Sequence, residues 1–177
     1  FRKYIMPVRP FTLAFRALHY GRYGKDAGDD RLYPLYIGYW DLVRGYYTYS
    51  GDSSLDYYRL FGSKMIVANA ELRFPLFGLL GLGKGYYGIW PLEAYAFFDW
   101  GIAYASEPGY WWGPPELGYT ASDVKPWFAG GTRKPLRSYG VGLRTNLFGA
   151  MVLGLNYVYP MDWPTGWHFE LSLSPGF

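Results

Sequence analysis

The feature that most constrains this chain is a two-residue alternation that recurs in seven separate segments. The longest runs from Leu92 to Tyr104. Leu92, Ala94, Ala96, Phe98, Trp100, Ile102 and Tyr104 form an apolar row, and Glu93, Tyr95, Phe97, Asp99, Gly101 and Ala103 form the opposite one. Side chains of a β-strand point alternately to two faces, so this spacing predicts a strand with two chemically different sides. The same pattern occupies 1–6, 11–20, 64–74, 136–148, 150–159 and 167–174. Pro7-Val8-Arg9-Pro10 reads as a tight turn, because proline cannot donate to a central ladder. No helical period competes, and no run of about 18 apolar residues marks a membrane helix.

Two all-β architectures fit this pattern. Aromatic residues make up 23% of the chain and charged residues only 18%, against about 25% charged in an average soluble domain. Yet mean hydropathy is only −0.11. A transmembrane β-barrel has this balance, being polar inside, apolar outside and aromatic at both interfaces. A secreted, Tyr- and Trp-rich carbohydrate-binding sandwich has it too. The chain has no cysteine, which excludes disulfides and thiolate metal sites. Its net charge of +3 is small and dispersed, which argues against nucleic acid as a partner.

The connections favour the barrel. Loops 21–63, 105–135 and 160–166 alternate with the turns 7–10, 75–87 and 148–150. Outer-membrane barrels carry long loops outside and short turns in the periplasm, so the three loops are assigned to the extracellular side and the C-terminus to the periplasm. The strands approach the roughly 9–11 residues that a tilted membrane strand needs. Seven is an odd number, and a free sheet edge in lipid leaves backbone groups unsatisfied. The expectation is an antiparallel transmembrane β-barrel in which further strands precede Phe1.

Chemistry on the polar rows points to one candidate site. Asp99 lies mid-strand among Phe97, Phe98, Trp100 and Gly101. A partly desolvated carboxylate there is costly unless paired. Arg44 lies in the first long loop, within Trp40-Asp41-Leu42-Val43-Arg44-Gly45-Tyr46-Tyr47. Its planar fork can hold a carboxylate at two points. Gly45 permits a sharp turn at the loop tip, and Gly101 leaves room for the loop to approach. Glu71 and Glu93, on inward rows, are secondary acceptors. Arg16, Arg73, Glu93 and Arg144 are expected to face water and tune the interior. Enzymatic chemistry is not indicated: His19 and His168 have no serine-plus-base constellation, and no residues have metal-ligand spacing. Gly81-Leu82-Gly83-Lys84-Gly85 lacks the following helix that a phosphate loop requires. No cofactor is implied.

At this point the residues resemble a known family. Val43-Arg44-Gly45-Tyr46 resembles the Val-Arg-Gly-Phe/Tyr motif of the BamA/TamA/FhaC outer-membrane insertase and transporter superfamily. Phe97-Phe98-Asp99-Trp100-Gly101 resembles that family's Phe-x-Asp-x-Gly motif. The resemblance implies a surface-antigen-type barrel of sixteen strands, of which this chain supplies the C-terminal seven. It implies that the loop containing Arg44 folds inward and that Arg44 pairs with Asp99. Phe169, Leu171, Leu173 and the terminal Phe177 resemble the C-terminal seam and sorting signal, although Pro175 stands where an aromatic is common. The implied function is insertion or translocation of polypeptides at the bacterial outer membrane, without covalent chemistry. The implied partners are outer-membrane lipid, unfolded polypeptide substrates, upstream strands of the same barrel and periplasmic domains. A passive outer-membrane porin or transport channel is the alternative, and an exported carbohydrate-binding β-protein is a second.

Overall fold

The computed structural model describes residues 1–29, 31–46, 57–162 and 165–175. In chain order its strands are β1 (Arg2–Val8), β2 (Phe11–Gly21), β3 (Leu35–Tyr36), β4 (Phe61–Gly62), β5 (Lys64–Pro75), β6 (Leu92–Tyr104), β7 (Leu136–Leu147), β8 (Met151–Pro160) and β9 (His168–Pro175). The protein is all-β. Its main sheet has seven strands in the order β1-β2-β5-β6-β7-β8-β9, all antiparallel. Each strand pairs with its neighbour in the chain, so the sheet is an up-and-down meander. It is open, with β1 and β9 as its edges. The short β3 and β4 pair with each other inside the first long loop.

Two turn assignments are corrected. Pro7 lies within β1 rather than in a turn, at an irregularity where the register shifts between Ile5 and Val8. An edge strand tolerates this because a missing donor on its outer side breaks no ladder bond. The connection after β5 is also longer than 75–87. It opens with the one-turn helix α1 (Leu76–Leu79) and continues to Pro91. It folds onto itself through bonds from the Leu82 N–H to Phe77 O at 2.9 Å and from the Ile89 N–H to Leu82 O at 3.0 Å.

The alternation survives intact in three dimensions. Phe98 stands between Ala70 and Tyr139 on neighbouring strands, and Asp99 between Asn69 and Ser138. Phe98, Tyr139, Val141, Leu155, Phe169 and Leu171 form part of an exposed outward face. The four acidic residues of these strands, Glu71, Glu93, Asp99 and Glu170, all lie on the inward rows. The apolar core is not between two sheets. It forms where the loops fold onto the inward face near the loop end: Ile37, Leu42, Val43, Tyr46 and Leu60 from the first loop meet Met65, Val67, Ala103 and Leu136 from the strands and Trp112 and Val124 from the second loop.

One buried cation fastens this cap. Arg133 donates to Phe61 O at 2.9 Å, Ala103 O at 3.0 Å, Trp112 O at 2.5 Å and Asp123 O at 3.1 Å. It joins the second loop to β4 and β6. Replacing it by Met keeps the volume but strips these buried carbonyls of their donor. Arg133→Met is predicted to lower stability by about 2–3 kcal/mol, read as a lower urea midpoint in tryptophan fluorescence. An unchanged midpoint would show that the cap holds without it.

Candidate functional site

Arg44 reaches the inward face because the first loop turns sharply there. Gly45 sits at φ +94°, a left-handed conformation that suits glycine. A Cβ at Gly45 would also press at 3.0 Å on both Val158 and Pro160. The approach surface is equally dependent on glycine. A Cβ at Gly101 would lie 2.6 Å from Val43 and 2.7 Å from Ile37. The absent side chain on β6 is thus the space that the loop fills.

The Arg44 guanidinium is held by two carboxylates. Nε donates to Asp99 Oδ2 and Nη2 to Asp99 Oδ1, both at 2.7 Å, and Nη1 donates to Glu71 Oε1 at 2.7 Å. The Arg44 backbone N–H adds a bond to Asp99 Oδ2 at 3.1 Å, and Asn69 Nδ2 donates to Asp99 Oδ1 at 2.7 Å. Asp99 is fully buried, and its acceptor sites are filled by these donors. The Arg44 Cζ also lies 3.6 Å from the centroid of the Phe97 ring. Burial opposes the charge on Arg44, but Asp99 and then Glu71 more than offset it and raise the pKa above its ordinary value. Arg44 is therefore cationic at any working pH.

A larger network surrounds this pair. Glu71 also receives Arg73 Nη2 at 2.7 Å and Arg144 Nη1 at 3.3 Å, and Arg144 Nη2 lies 2.7 Å from Glu93 Oε2. Three guanidinium groups thus meet three carboxylates, Asp99, Glu71 and Glu93, with no net charge. Arg16 donates to Asn69 Oδ1 at 2.8 Å and to the Asp41 carbonyl. Asn69 in turn donates to Leu42 O at 2.8 Å. Room for the aromatic rings comes from β7. Tyr95 and Phe97 lie opposite Gly142 and Gly140, where a Cβ would fall 2.5 Å from the Tyr95 ring and 2.8 Å from the Phe97 ring.

The structure brings Val43, Arg44, Gly45, Tyr46, Asp99, Gly101 and Glu71 together at one place. Tyr46 is buried, and its hydroxyl donates to Arg137 O at 2.8 Å. Burial first, and then Asp162, raise its pKa above the ordinary phenol value. Glu93 is a correction: it binds Arg144 at the turn end of β6, not Arg44. Arg73 and Arg144 are likewise corrected, since both are tied to Glu71 rather than simply solvated. Phe169, Leu171 and Leu173 lie exposed on the outward face of β9, away from the site. Phe177 and Tyr47 fall outside the described residues.

Asn69, Phe97 and Glu170 complete the site beyond the sequence expectation. Glu170, buried on the edge strand β9, accepts the Gly45 backbone N–H at 3.2 Å. Its inward position in the alternation was the available signal. Gly140 and Gly142, spaced by two residues, signalled equally that large neighbours needed space. Among the described residues no group of three His, Asp or Glu side chains could hold a metal ion. No family model, curated protein or solved structure matches the chain.

The network predicts strong coupling. Arg44→Ala and Asp99→Asn are each predicted to destabilise by about 3 kcal/mol, since either strands a buried charge. The double mutant should cost clearly less than the sum of the two, and full additivity in a double-mutant cycle would refute the pairing as an energetic unit. Phe97→Leu is predicted to cost about 1–2 kcal/mol through loss of the desolvated cation–π contact, measured by the same urea titration.

Proposed function

We propose that this chain is the C-terminal wall of a larger outer-membrane β-barrel of the BamA-like type, which inserts or translocates polypeptides without covalent chemistry. The observation that carries this reading is the chemical division of the sheet. Every acidic residue of the seven strands points inward, while the outward rows are mostly apolar and exposed or half-exposed. The outward basic residues are Lys3 on the edge strand and His19, Lys64 and Arg137 toward the loop ends of β2, β5 and β7. An exposed apolar face spanning a whole sheet far exceeds the few hundred Å² normal for a soluble monomer. Trp90 at the turn end and Trp100 toward the loop end lie near its two rims, where an outer-membrane barrel carries its aromatic girdles.

The inward-folded loop supports the insertase reading over that of an open pore. Arg44 pins the loop across the inward face, where it obstructs the interior of such a barrel. The edge of β9 supplies the active surface. Its outward Phe169, Leu171 and Leu173 face lipid, and its free ladder can pair with a strand of a polypeptide substrate by β-augmentation. Pro175 lacks a donor and weakens the end of that ladder. The loops lie outside the cell and the turns and C-terminus in the periplasm.

The test is reconstitution of the full-length protein in liposomes with an unfolded outer-membrane polypeptide as substrate. Wild type should promote its insertion or passage, and Arg44→Ala should lose most of that activity. A protein that stays soluble without detergent would overturn the membrane reading. Steady ion conductance indifferent to Arg44→Ala, with no polypeptide activity, would identify a passive channel.

A further inference from the structure

We propose that the turn end of the sheet is a foot seated in the headgroup layer of an acidic phospholipid membrane, formed by residues 76–91 and Phe148. This rests on the membrane reading above and adds a specific lipid contact to it. Short turns of a barrel in water need only polar residues. Here the turn end exposes Leu80, Leu82, Ile89, Trp90 and Phe148, with Phe148 97% and Ile89 68% exposed. Phe148 also holds φ at 56°, a region that a bulky residue seldom adopts.

These side chains are presented by a built scaffold. The connection bonds to itself at Leu82–Phe77 and Ile89–Leu82. It is tied to both neighbouring hairpins, by Tyr86 Oη donating to Pro10 O at 2.9 Å and Trp90 Nε1 donating to Thr145 Oγ1 at 2.7 Å. A Cβ at Gly78 would lie 1.9 Å from Tyr86 O, so the backbone passes too close to itself for any other residue. The apolar side chains are therefore held outward by a fixed frame.

Two observations select lipid as the occupant. First, Thr145, which holds the Trp90 indole, belongs to the outward row of β7 with Val141 and Leu143. The foot is thus continuous with the outward apolar face. An indole with its N–H satisfied and its ring exposed suits the membrane interface. Second, among the described residues the exposed charged side chains here are Arg9 and Lys84, both basic. The nearby Glu93 is turned inward and held by Arg144. An apolar patch rimmed by cations matches the anionic headgroup region.

The chain has no cysteine, so each cysteine introduced here is the one thiol of these 177 residues, and any thiol elsewhere in the full-length protein is first replaced by serine. Ile89→Cys, Phe148→Cys, Phe98→Cys and Lys25→Cys, made in the full-length protein, are labelled with an environment-sensitive fluorophore. The probe is a nanodisc of phosphatidylcholine with phosphatidylglycerol, which leaves both membrane faces open to iodide. Labels at positions 89 and 148 should lose most iodide quenching relative to position 25 and be quenched by lipids brominated near the headgroup. If the label at 98 is quenched by deep brominated chains while those at 89 and 148 stay open to iodide, the foot is wrong and the membrane reading stands. If the label at 98 is also open to iodide, the membrane reading itself fails. Labels at 89 and 148 that are exposed in nanodiscs but shielded in native membranes would assign the patch to a protein partner and overturn the proposal. Lys84→Ala with Arg9→Ala should reduce lipid quenching at 89, and equal quenching in pure phosphatidylcholine would overturn the choice of an acidic lipid.

Discussion

A buried guanidinium shared between two carboxylates is the interaction on which the rest of this structure depends. Arg44 is too deeply placed to be solvated, and Asp99 is fully buried. Neither charge is tolerable alone in such surroundings. The network closes electrically only when the loop is folded in, because Arg44 completes the balance with Asp99, Glu71 and Glu93. The position of the loop is thus set by charge neutrality as much as by packing. Withdrawing it would leave Asp99, among the described residues, with only the Asn69 amide as a hydrogen-bond donor.

Shape prepares the place for that charge. Gly101 opens a gap for Val43 and Ile37, while Gly140 and Gly142 let the Phe97 and Tyr95 rings lie flat across β7. The rings floor the site and give the Arg44 plane a surface to stack on. A β-sheet has no cavity of its own. Here the cavity is made by omitting side chains at chosen inward positions, and aromatic rings and one loop then fill it. The apolar cap fixed by Arg133 covers the loop side of the same region.

The strands were legible in the sequence because each carries a sharp contrast between its two rows. Leu92–Tyr104 and Leu136–Leu147 needed no tertiary information to be placed. Pro7 was misplaced because a proline signals a break only where its ladder is paired, and β1 is an edge. The pairing of Arg44 with Asp99 was legible from the mismatch between a carboxylate and its aromatic neighbours, together with the resemblance. The choice between Glu71 and Glu93 was not. Both lie on inward rows, and only the register decides: Glu71 stands opposite Phe97, close to Asp99, whereas Glu93 stands opposite Arg144 at the far end of β6. The loops were the least legible. Of their short elements, β3 and β4 pair with each other across the loop, and the helix α2 (Ala121–Val124) is closed by a capping box between Thr120 and Asp123, so none follows an apolar period.

The bond from Gly45 to Glu170 joins two parts of the chain that lie 125 positions apart. Its donor belongs to the innermost tip of the loop and its acceptor to the strand at the rim of the sheet. The hairpin β8–β9 cannot peel outward without either releasing that amide or dragging the arginine clamp with it. The loop is in this sense a tether that registers tension at the boundary of the sheet. A load applied to β9 is felt first at the buried arginine clamp.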